Sequence, residues 1–517
     1  MKQIRVLWTD DEIDLLKPHV IFLEDKGYNV ITATNGEDAV KIVESEQLDL
    51  VLLDENMPGI SGLETLSKIK SIKPSLPVVM ITKSETEDIM DQALGSKISD
   101  YLIKPVNPNQ ILLSIKKNLD SQRLVTEKTT SSYQSQFTNL SLEINDAREI
   151  QEWMDIYKKL VYWELELETS SDPGMNEVFR MQKTEAENGF SKFIKRNYLG
   201  WFSHDAGNKP LLSPNLFKNR VFPILDKGEK VFFILIDNLR FDQWKQLYLV
   251  INEYLAIDTE EMYCTILPTA TQYARNSIFA GLMPLEIEKI LPDLWINDDE
   301  EENKNLYEQD LFKSQMQRLG KNYKFSYQKV NNARTGKKIY ENLSNYLNND
   351  LTILVYNFVD MLSHARTEMD MIKELASDES AYRSLTLSWF RHSHLLELIK
   401  ELSGKDVKII ITTDHGTVQV NNPVKVVGDK KTSSNLRYKT GKNLDYNKKD
   451  VFEIKPPAEG HLPSINVSSS YIFATNFDFL VYPNSYNYYA NYYRDTFQHG
   501  GISLEEMLVP FVVLNPK

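Results

Sequence analysis

The sequence predicts an α/β protein: a doubly wound parallel sheet at the N-terminus, then a helical bundle, then a second and larger α/β domain. Within residues 1–120, short apolar runs alternate with amphipathic segments, which is the rhythm of βα units. Beyond residue 209 the apolar runs are almost free of polar side chains, as in strands that are buried on both faces. We place the three domains at residues 1–121, 122–205 and 206–517.

The first domain contains five strand candidates that are separated by amphipathic segments. They are Ile4–Trp8, Asn29–Ala33, Leu50–Leu53, Pro77–Ile81 and Tyr101–Ile103. Two of these strands run into carboxylates, Asp10-Asp11 and Asp54. Because ligand sites of open α/β sheets lie beyond the carboxyl ends of the strands, we expect these acids to converge.

The segment that follows changes composition. Residues 121–139 are rich in Ser, Thr and Gln, which predicts a linker or a frayed extension of a helix. From residue 140 to 200 the apolar residues recur with helical spacing, and we predict a small helical bundle.

The larger domain contains four apolar strand candidates, Val231–Ile236, Leu351–Val359, Val407–Thr412 and Val509–Val513. Three of them lead to aspartates, namely Asp237, Asp360 and Asp414. A basic insertion from Lys425 to Lys455 follows the last of these acids.

Composition excludes several classes of protein. The chain has 517 residues, of which 42% are hydrophobic and 26% charged, so it is neither disordered nor fibrous. A net charge of −14 disfavours wrapping of a nucleic acid, and a single cysteine, Cys264, excludes an intrachain disulfide. We find neither a signal peptide nor an apolar run long enough for a membrane span, and we expect a cytoplasmic protein.

The acidic cluster of the first domain would be repulsive without a cation, and oxygen ligands favour Mg²⁺. Thr82 follows the fourth strand, and Lys104-Pro105 follows the fifth. With Asp10-Asp11-Glu12, Asp54, Met57-Pro58-Gly59 and Tyr101, this set resembles the receiver domain of bacterial response regulators. The resemblance implies that Asp54 accepts a phosphoryl group. It also implies that Mg²⁺ is held by Asp10, Asp11, Asp54 and the carbonyl of Asn56, that Thr82 and Lys104 bind phosphoryl oxygens, and that Tyr101 swings inward.

The acids of the larger domain are accompanied by histidines, in Asp360-x-x-x-His364, Asp414-His415-Gly416 and His499-Gly500-Gly501. Mixed Asp and His ligands suit Zn²⁺, with Mn²⁺ as the alternative. The spacing of Asp360 and His364 places them one helical turn apart. Two hydroxyls, Thr269 and Thr271, lie between the first acid and the second.

This order resembles the alkaline phosphatase superfamily, and most closely its PglZ branch. The resemblance implies two zinc ions, one held by Asp360, His364 and His499. The other would be held by Asp237, Asp414, His415 and the oxygen of Thr271. Thr271 would be the nucleophile, with a phosphothreonine intermediate, and Thr269 is the competing candidate.

The substrate is less well defined by the sequence, because the superfamily includes monoesterases and diesterases. The basic insertion, with Lys431 and Arg437, would lie over the site and attract a polyanion, or it is a solvated loop. Arg275 and Asn276 follow Thr271 and would contact a phosphoryl oxygen. We favour a phosphodiesterase acting on nucleotides or oligonucleotides, with a phosphomonoesterase as the alternative.

The combination of receiver, helical linker and PglZ-type domain resembles response regulators associated with type IX secretion. That resemblance implies a partner sensor histidine kinase, and it also links such proteins to an alternative sigma factor and to secretion components. We expect a homodimer on phosphorylation and no direct DNA binding, since no helix-turn-helix pattern is found. The alternative role for the metal domain is a platform for binding partners.

Overall fold

The structure, a computed structural model, describes residues 4–74, 76–83, 98–168, 173–203, 209–297, 305–376, 378–428, 433–464 and 468–517. These residues divide into two compact units, one up to residue 132 and one from residue 133 onward. None of the described helices has both the length and the apolar character needed to cross a membrane.

The first unit is built on a five-stranded parallel sheet with the order β2-β1-β3-β4-β5. Its strands are β1 (Arg5–Thr9), β2 (Asn29–Ala33), β3 (Leu50–Asp54), β4 (Val78–Thr82) and β5 (Asp100–Ile103). The helices with described bounds are α1 (Lys17–Asp25), α2 (Gly36–Ser45) and α3 (Gly62–Ile72). Separate apolar clusters cover the two faces of the sheet, which confirms the predicted doubly wound fold.

Helix α3 begins against the strand that carries Asp54. Ser61 caps the helix by accepting from the amide of Glu64, whose side chain returns a bond to the amide of Ser61. A Cβ atom on Gly62 would lie 2.4 Å from the carbonyl oxygen of Asp54, so this close approach requires glycine. The helix therefore packs directly under the end of β3.

The segment predicted as a linker or frayed extension is helical. Helix α4 (Pro108–Asp146) runs through residues 121–139 without interruption. Tyr133, Leu140 and Ile144 are buried and Phe137 is partly buried, so an apolar stripe with helical spacing lies among the polar residues. Helices α5 (Ile150–Glu168) and α6 (Pro173–Asn197) follow, as expected for the helical segment.

The second unit contains a six-stranded sheet with the order β7-β18-β10-β6-β9-β8. Its strands are β6 (Val231–Ile236), β7 (Leu255–Cys264), β8 (Phe325–Val330), β9 (Leu351–Tyr356), β10 (Lys408–Thr412) and β18 (Leu508–Pro516). The strands β10, β6, β9 and β8 are parallel, whereas β18 is antiparallel to both of its neighbours. The carboxyl ends of the parallel strands therefore share one edge.

The described helices of the second unit that follow α6 are α7 (Phe222–Leu225), α8 (Phe241–Ile251), α9 (Thr271–Ala280), α10 (Pro284–Ile290), α11 (Glu308–Arg318), α12 (Ala333–Glu341), α13 (Leu343–Tyr346), α14 (Phe358–Glu368), α15 (Asp370–Leu375), α16 (Glu379–Arg391), α17 (His394–Leu402), α18 (Tyr486–Tyr492) and α19 (Leu504–Met507). The strand predicted to reach Val359 ends at Tyr356, and α14 begins two residues later. Asp360 consequently lies in the first turn of a helix.

The chain between Asp414 and His499, which includes the basic insertion, contains small sheets. The strands β13 (Tyr438–Lys442), β15 (Ser469–Ala474) and β14 (Val451–Ile454) form an antiparallel sheet. Two further pairs are formed by β11 (Val418–Gln419) with β17 (Phe497–Gln498), and by β12 (Asn422–Lys425) with β16 (Asp478–Val481). The pairing of β11 with β17 brings the chain after β10 next to the chain that leads to His499.

Candidate phosphoacceptor site and metal centre

The receiver carboxylates meet at the carboxyl edge of the first sheet. Oxygens of Asp10, Asp11 and Asp54 lie within 4.8 Å of one another. Asp10 and Asp54 are buried, and Asp11 is exposed. An all-oxygen cluster of this kind suits a hard divalent cation such as Mg²⁺.

Lys104 neutralises part of this cluster. Its ammonium lies 2.7 Å from Asp54 Oδ1 and 2.9 Å from Asp10 Oδ2. Burial raises the pKa of the Asp54 carboxyl, an effect that Lys104 opposes. The lysine is therefore placed where it can also contact oxygens added to Asp54.

The other receiver residues take different positions. The Thr82 hydroxyl donates to Glu55 Oε2 at 2.6 Å, one residue beyond Asp54. Asn56 lies in the exposed loop after β3, and Tyr101 on β5 is 40% exposed. Tyr101 thus has an outward-facing position in this structure, whereas the resemblance implies one that swings inward.

The larger domain brings six acid and histidine side chains together as two adjacent clusters. The first contains Asp237, Asp414 and His415, all of which are buried, and the second contains Asp360, His364 and His499. Within each cluster the candidate ligand atoms lie within 4.8 Å of one another. These groups coincide with the two sets implied by the family resemblance.

Each ligand is positioned by a particular element. Asp237 follows β6 directly, and Asp414 lies two residues beyond β10. Asp360 and His364 occupy successive turns of α14, with His364 Nε2 3.5 Å from Asp360 Oδ2. His499 follows β17, and its Nε2 lies 3.6 Å from Asp360 Oδ1. The rings of His415 and His499 stack at 4.3 Å, so the two clusters share a wall.

Backbone carbonyls orient two of the histidines. His415 Nδ1 donates to the carbonyl of Gly416 at 3.1 Å, and His499 Nδ1 donates to that of Thr269 at 3.1 Å. A proton on Nδ1 leaves the Nε2 lone pair directed into the cluster, which is the tautomer that metal ligation requires.

Thr271 is the hydroxyl that reaches the clusters. It is the first residue of α9, and its oxygen lies 3.1 Å from His415 Nε2 and 3.5 Å from Asp237 Oδ1. The competing hydroxyl, Thr269, is fully buried and donates to the carbonyl of Gly501 at 2.9 Å. Its oxygen also accepts from the amide of Gly500, so Thr269 has a structural role.

The electrostatics of the clusters fit cations. Burial, and then the charge of Asp237, raise the pKa of both Asp360 and Asp414 to about 6. Asp414 Oδ2 is buried and accepts no hydrogen bond from any residue that the structure describes. Carboxylates and imidazoles in this combination are ligands that Zn²⁺ prefers, and a bound cation would relieve the repulsion.

Arg275 lies at the base of the site. Its guanidinium pairs with Asp237 at 2.9 Å and with Glu308 at 2.7 Å, and it is 2% exposed. Asn276 is also buried and its side-chain oxygen accepts from Asn305. Both residues, predicted to contact substrate, therefore lie beneath Thr271 and bind protein groups.

Two further substrate-binding predictions concern the basic insertion. Arg437 is fully buried and paired with the buried Glu506, at 3.2 Å between Nε and Oε1. That prediction is wrong for this structure, because the guanidinium has no access to solvent. Tyr438 and Phe452, two aromatic residues of the same insertion, are also buried. Lys431 lies outside the described residues.

Two residues of the site, Asn238 and Glu308, could not be assigned a role from the sequence, and a third, Gly416, belongs to the Asp414-His415-Gly416 motif. Asn238 has a left-handed backbone, with φ of 65°, and its amide donates to Asp360 Oδ1 at 3.3 Å. Glu308, which anchors Arg275, comes from a distant helix. A Cβ atom on Gly416 would lie 1.9 Å from the carbonyl oxygen of Glu505, so only glycine fits after His415.

The fold and these clusters define a two-module response regulator, in which a receiver precedes an alkaline-phosphatase-like domain. Family models support each part. Residues 216–514 match the "BREX system PglZ alkaline phosphatase-like domain", 123–202 match the "PorX response regulator linker domain", and 6–116 match the "response regulator receiver domain". The chain belongs to the PglZ alkaline phosphatase-like family and has the PorX-type arrangement of domains.

Relatives found in the comparisons share the receiver region. The chain is 35% identical over 136 residues to the transcriptional regulatory protein ZraR of Klebsiella oxytoca, covering 26% of this chain and 31% of that protein. It is 34% identical over 114 residues to the alkaline phosphatase synthesis transcriptional regulatory protein PhoP of Bacillus subtilis, and the match covers 22% of this chain and 47% of that protein. The match thus spans less than half of either relative.

Among solved structures, a CheY-like receiver domain protein from Methanospirillum hungatei is 30% identical, with a TM-score of 0.23. The superposition covers 24% of the present chain and 98% of the chain from Methanospirillum hungatei. Receiver domains bind Mg²⁺ and act with a cognate sensor kinase, and alkaline-phosphatase-like domains depend on metals.

Proposed function

We propose that the larger domain is a phosphodiesterase of nucleotides or oligonucleotides, with Thr271 as its nucleophile and two zinc ions as cofactors. The observation that carries this proposal is the position of the Thr271 hydroxyl, 3.1 Å from His415 Nε2 and beside Asp237. The hydroxyl of Thr413 also contacts two of these residues, but it reaches a side-chain atom of Asp414 only and otherwise donates to the backbone carbonyl of His415. Among the described residues, Thr271 is thus the hydroxyl that reaches the side chains of two candidate ligands.

Asp360, His364 and His499 would hold one ion, and Asp237, Asp414, His415 and Thr271 the other. When bound, such a pair supplies Lewis acidity, which lowers the pKa of a coordinated hydroxyl and neutralises charge on a phosphoryl group.

The protein's own groups prepare this chemistry. The N-terminus of α9 holds Thr271 at the rim of the clusters, where its oxygen is directed toward His415. Arg275, one turn further along α9, fixes the orientation of Asp237 through a 2.9 Å ion pair. The Nδ1 bonds of His415 and His499 keep both rings in one tautomer. Attack by the Thr271 oxygen at phosphorus would form a Thr271 O–P bond while the bond from phosphorus to one ester oxygen breaks, and the departing alcohol would take up the proton that Thr271 loses. Water would then attack phosphorus and break the Thr271 O–P bond, which releases the phosphomonoester and returns a proton to Thr271.

The test is hydrolysis of bis-p-nitrophenyl phosphate and p-nitrophenyl phosphate by the zinc-loaded protein. We expect the diester to be cleaved, and Thr271→Ala to lower kcat by at least a hundredfold. Thr184→Ala, an exposed threonine on helix α6, is the matched control and should leave the rate unchanged. Cleavage of the monoester alone would favour the phosphomonoesterase. Absence of both activities would favour the platform for partners.

Regulation is the second part of the proposal. We infer that a sensor histidine kinase phosphorylates Asp54, because Lys104 and the Asp10–Asp11 pair surround its carboxylate. The PorX-type linker supports a role in controlling type IX secretion, with a sigma factor or secretion components as partners. We further propose that phosphorylation produces a homodimer. Light scattering with and without acetyl phosphate tests this, and an unchanged mass would contradict it.

A further inference from the structure

A cavity of about 280 Å³ opens at the carboxyl ends of β8 and β9. Its walls include Tyr356, Phe358, Met361, Trp389, His392 and His394. Ligands of parallel α/β sheets bind at this edge, because the loops there leave a crevice. None of the residues assigned above to the metal clusters lines the cavity.

Helix α14 connects the cavity to the second metal cluster. Successive residues of an α-helix are rotated by about 100° around its axis. Around the circumference of α14, the order of the side chains is therefore Asp360, then His364, then Met361 and then Phe358. Met361 is three residues from both Phe358 and His364, and such pairs have Cβ atoms about 5–6 Å apart. A single side chain, Met361, therefore separates the histidine ligand from the aromatic wall, and that side chain is 51% exposed.

The wall is flat and aromatic. Phe358 and Trp389 stack with centroids 4.5 Å apart and an interplanar angle of 4°. Tyr356 meets Trp389 edge-on at 6.3 Å. Phe358 and Trp389 are both only partly buried, so the stack retains an accessible surface.

The rim offers hydrogen-bonding side chains of histidine, serine and asparagine. No lysine, arginine or carboxylate is among the described residues that line the cavity. His392 Nδ1 donates to the carbonyl of Ser388 at 2.8 Å, and His394 Nδ1 bonds to Glu397. Nε2 of each ring has no hydrogen-bond partner in the described part of the chain. Such a cavity favours a planar, neutral heterocycle over a second phosphate.

We propose that this cavity binds the base of a nucleotide whose phosphoryl group lies on the adjacent metal clusters. The proposal rests on the proposed function and names the part of the substrate that the clusters do not contact. Stacking of a base on an aromatic side chain contributes about 1–3 kcal/mol, which corresponds to a factor of about 5–150 in affinity.

The first experiment measures binding without turnover. Zinc-loaded Thr271→Ala protein is titrated calorimetrically with AMP and with ribose 5-phosphate, which differ only in the base. We expect AMP to bind at least tenfold more tightly. Equal affinities, or no binding of either compound, would overturn the proposal.

Variants then assign the preference to the cavity. Met361→Ala and Trp389→Leu, each in the Thr271→Ala background, should reduce the ratio of the two affinities to within threefold of unity, mainly through weaker AMP binding. Met369→Ala, which changes a methionine of similar exposure outside the cavity, is the matched control and should keep the ratio. A ratio that is unchanged by Met361→Ala and by Trp389→Leu would place the base elsewhere.

A second readout separates this proposal from the proposed function. The otherwise unaltered protein is offered an adenosine 5′-(p-nitrophenyl phosphate) and methyl p-nitrophenyl phosphate. If both compounds are hydrolysed with the same kcat/KM, and Met361→Ala changes neither value, the base site would be contradicted and the phosphodiesterase would be supported. If neither compound is hydrolysed, but AMP binds more tightly than ribose 5-phosphate and the variants abolish that preference, the base site would be supported and the phosphodiesterase would be contradicted.

Discussion

The ammonium of Lys183 on α6 lies 2.9 Å from Glu505 Oε1, next to the loop that carries His415. Lys183 also pairs with Glu164 at 3.3 Å and with Glu379 at 2.9 Å. Burial favours the protonated form of Glu164, but Lys183 and Arg383 more than offset this and hold its pKa well below the ordinary value. A buried ion network thus joins the linker helices to the metal domain.

Removal of the Lys183 ammonium should lower the free energy of unfolding. Lys183→Met leaves the buried Glu505 without its ion-pair partner, whereas Glu164 keeps Arg383 and Glu379 keeps Arg240. We expect a loss of about 3–5 kcal/mol in the free energy of unfolding, because one buried charge is left uncompensated. Urea denaturation measures the loss. The control is Lys192→Met, an exposed lysine of the same helix, which should change stability by less than about 0.5 kcal/mol. Equal effects of the two variants would contradict the network's role.

The buried Arg437 leads to a second prediction. Because its guanidinium pairs with Glu506 and both side chains are fully buried, Arg437→Met should lower stability by about 3–5 kcal/mol. KM for a phosphodiester, measured where the variant remains folded, should not change. Lys448→Met, an exposed change in the same basic insertion, is the control and should affect neither quantity. A raised KM with unchanged stability would restore Arg437 as a substrate-binding residue.

The raised pKa values of Asp360 and Asp414 predict how pH affects the metal-free protein. A folded-state pKa of about 6, compared with about 4 in the unfolded chain, favours protons bound to the folded state. The resulting stabilisation is complete below the unfolded pKa and is lost as pH rises through about 6.

Thermal unfolding of chelated protein checks this pH effect. The fall in Tm between pH 5 and pH 7.5 should be larger for the wild-type chain than for Asp360→Asn, which cannot ionise at that position. Zinc-loaded protein should instead lose Tm on acidification, since protonation competes with the metal. Parallel pH curves for chelated wild type and variant would contradict the assignment.

The receiver site gives a fourth prediction. Asp54→Asn should abolish incorporation of a phosphoryl group from acetyl phosphate, because the buried carboxylate beside Lys104 is removed. Intact mass spectrometry after brief incubation measures incorporation. Asp14→Asn changes a largely exposed acid near the same sheet edge, and it should retain full labelling. Labelling of Asp54→Asn at the wild-type level would place the acceptor elsewhere.

Much of the fold and of the candidate site could be predicted, because strand ends carry the chemistry in both α/β domains. Apolar runs can be recognised directly in the sequence, and three of them lead to Asp54, Asp237 and Asp414. The sequence does not reveal that helix α4 includes Tyr133 and Phe137, since serines and threonines dilute the apolar character of the segment before residue 140.

Other features depend on contacts between distant parts of the chain. The pairing of Arg437 with Glu506 joins residues 69 positions apart, and local sequence carries no sign of it. A basic run looks the same whether its cations face solvent or buried carboxylates. The sequence likewise gives no sign that His392 and His394 line a cavity, because that cavity forms only when α16 and α17 pack beside α14.

The stacked rings of His415 and His499 have a consequence for metal loading. Both rings are held before any ion arrives, because Nδ1 of each donates to a backbone carbonyl and the two rings pack face to face at 4.3 Å. Little side-chain entropy is then left to lose when an ion binds to either imidazole. Loading of one cluster should therefore do little to prepare the other, and uptake of metal should leave the positions of these two side chains unchanged.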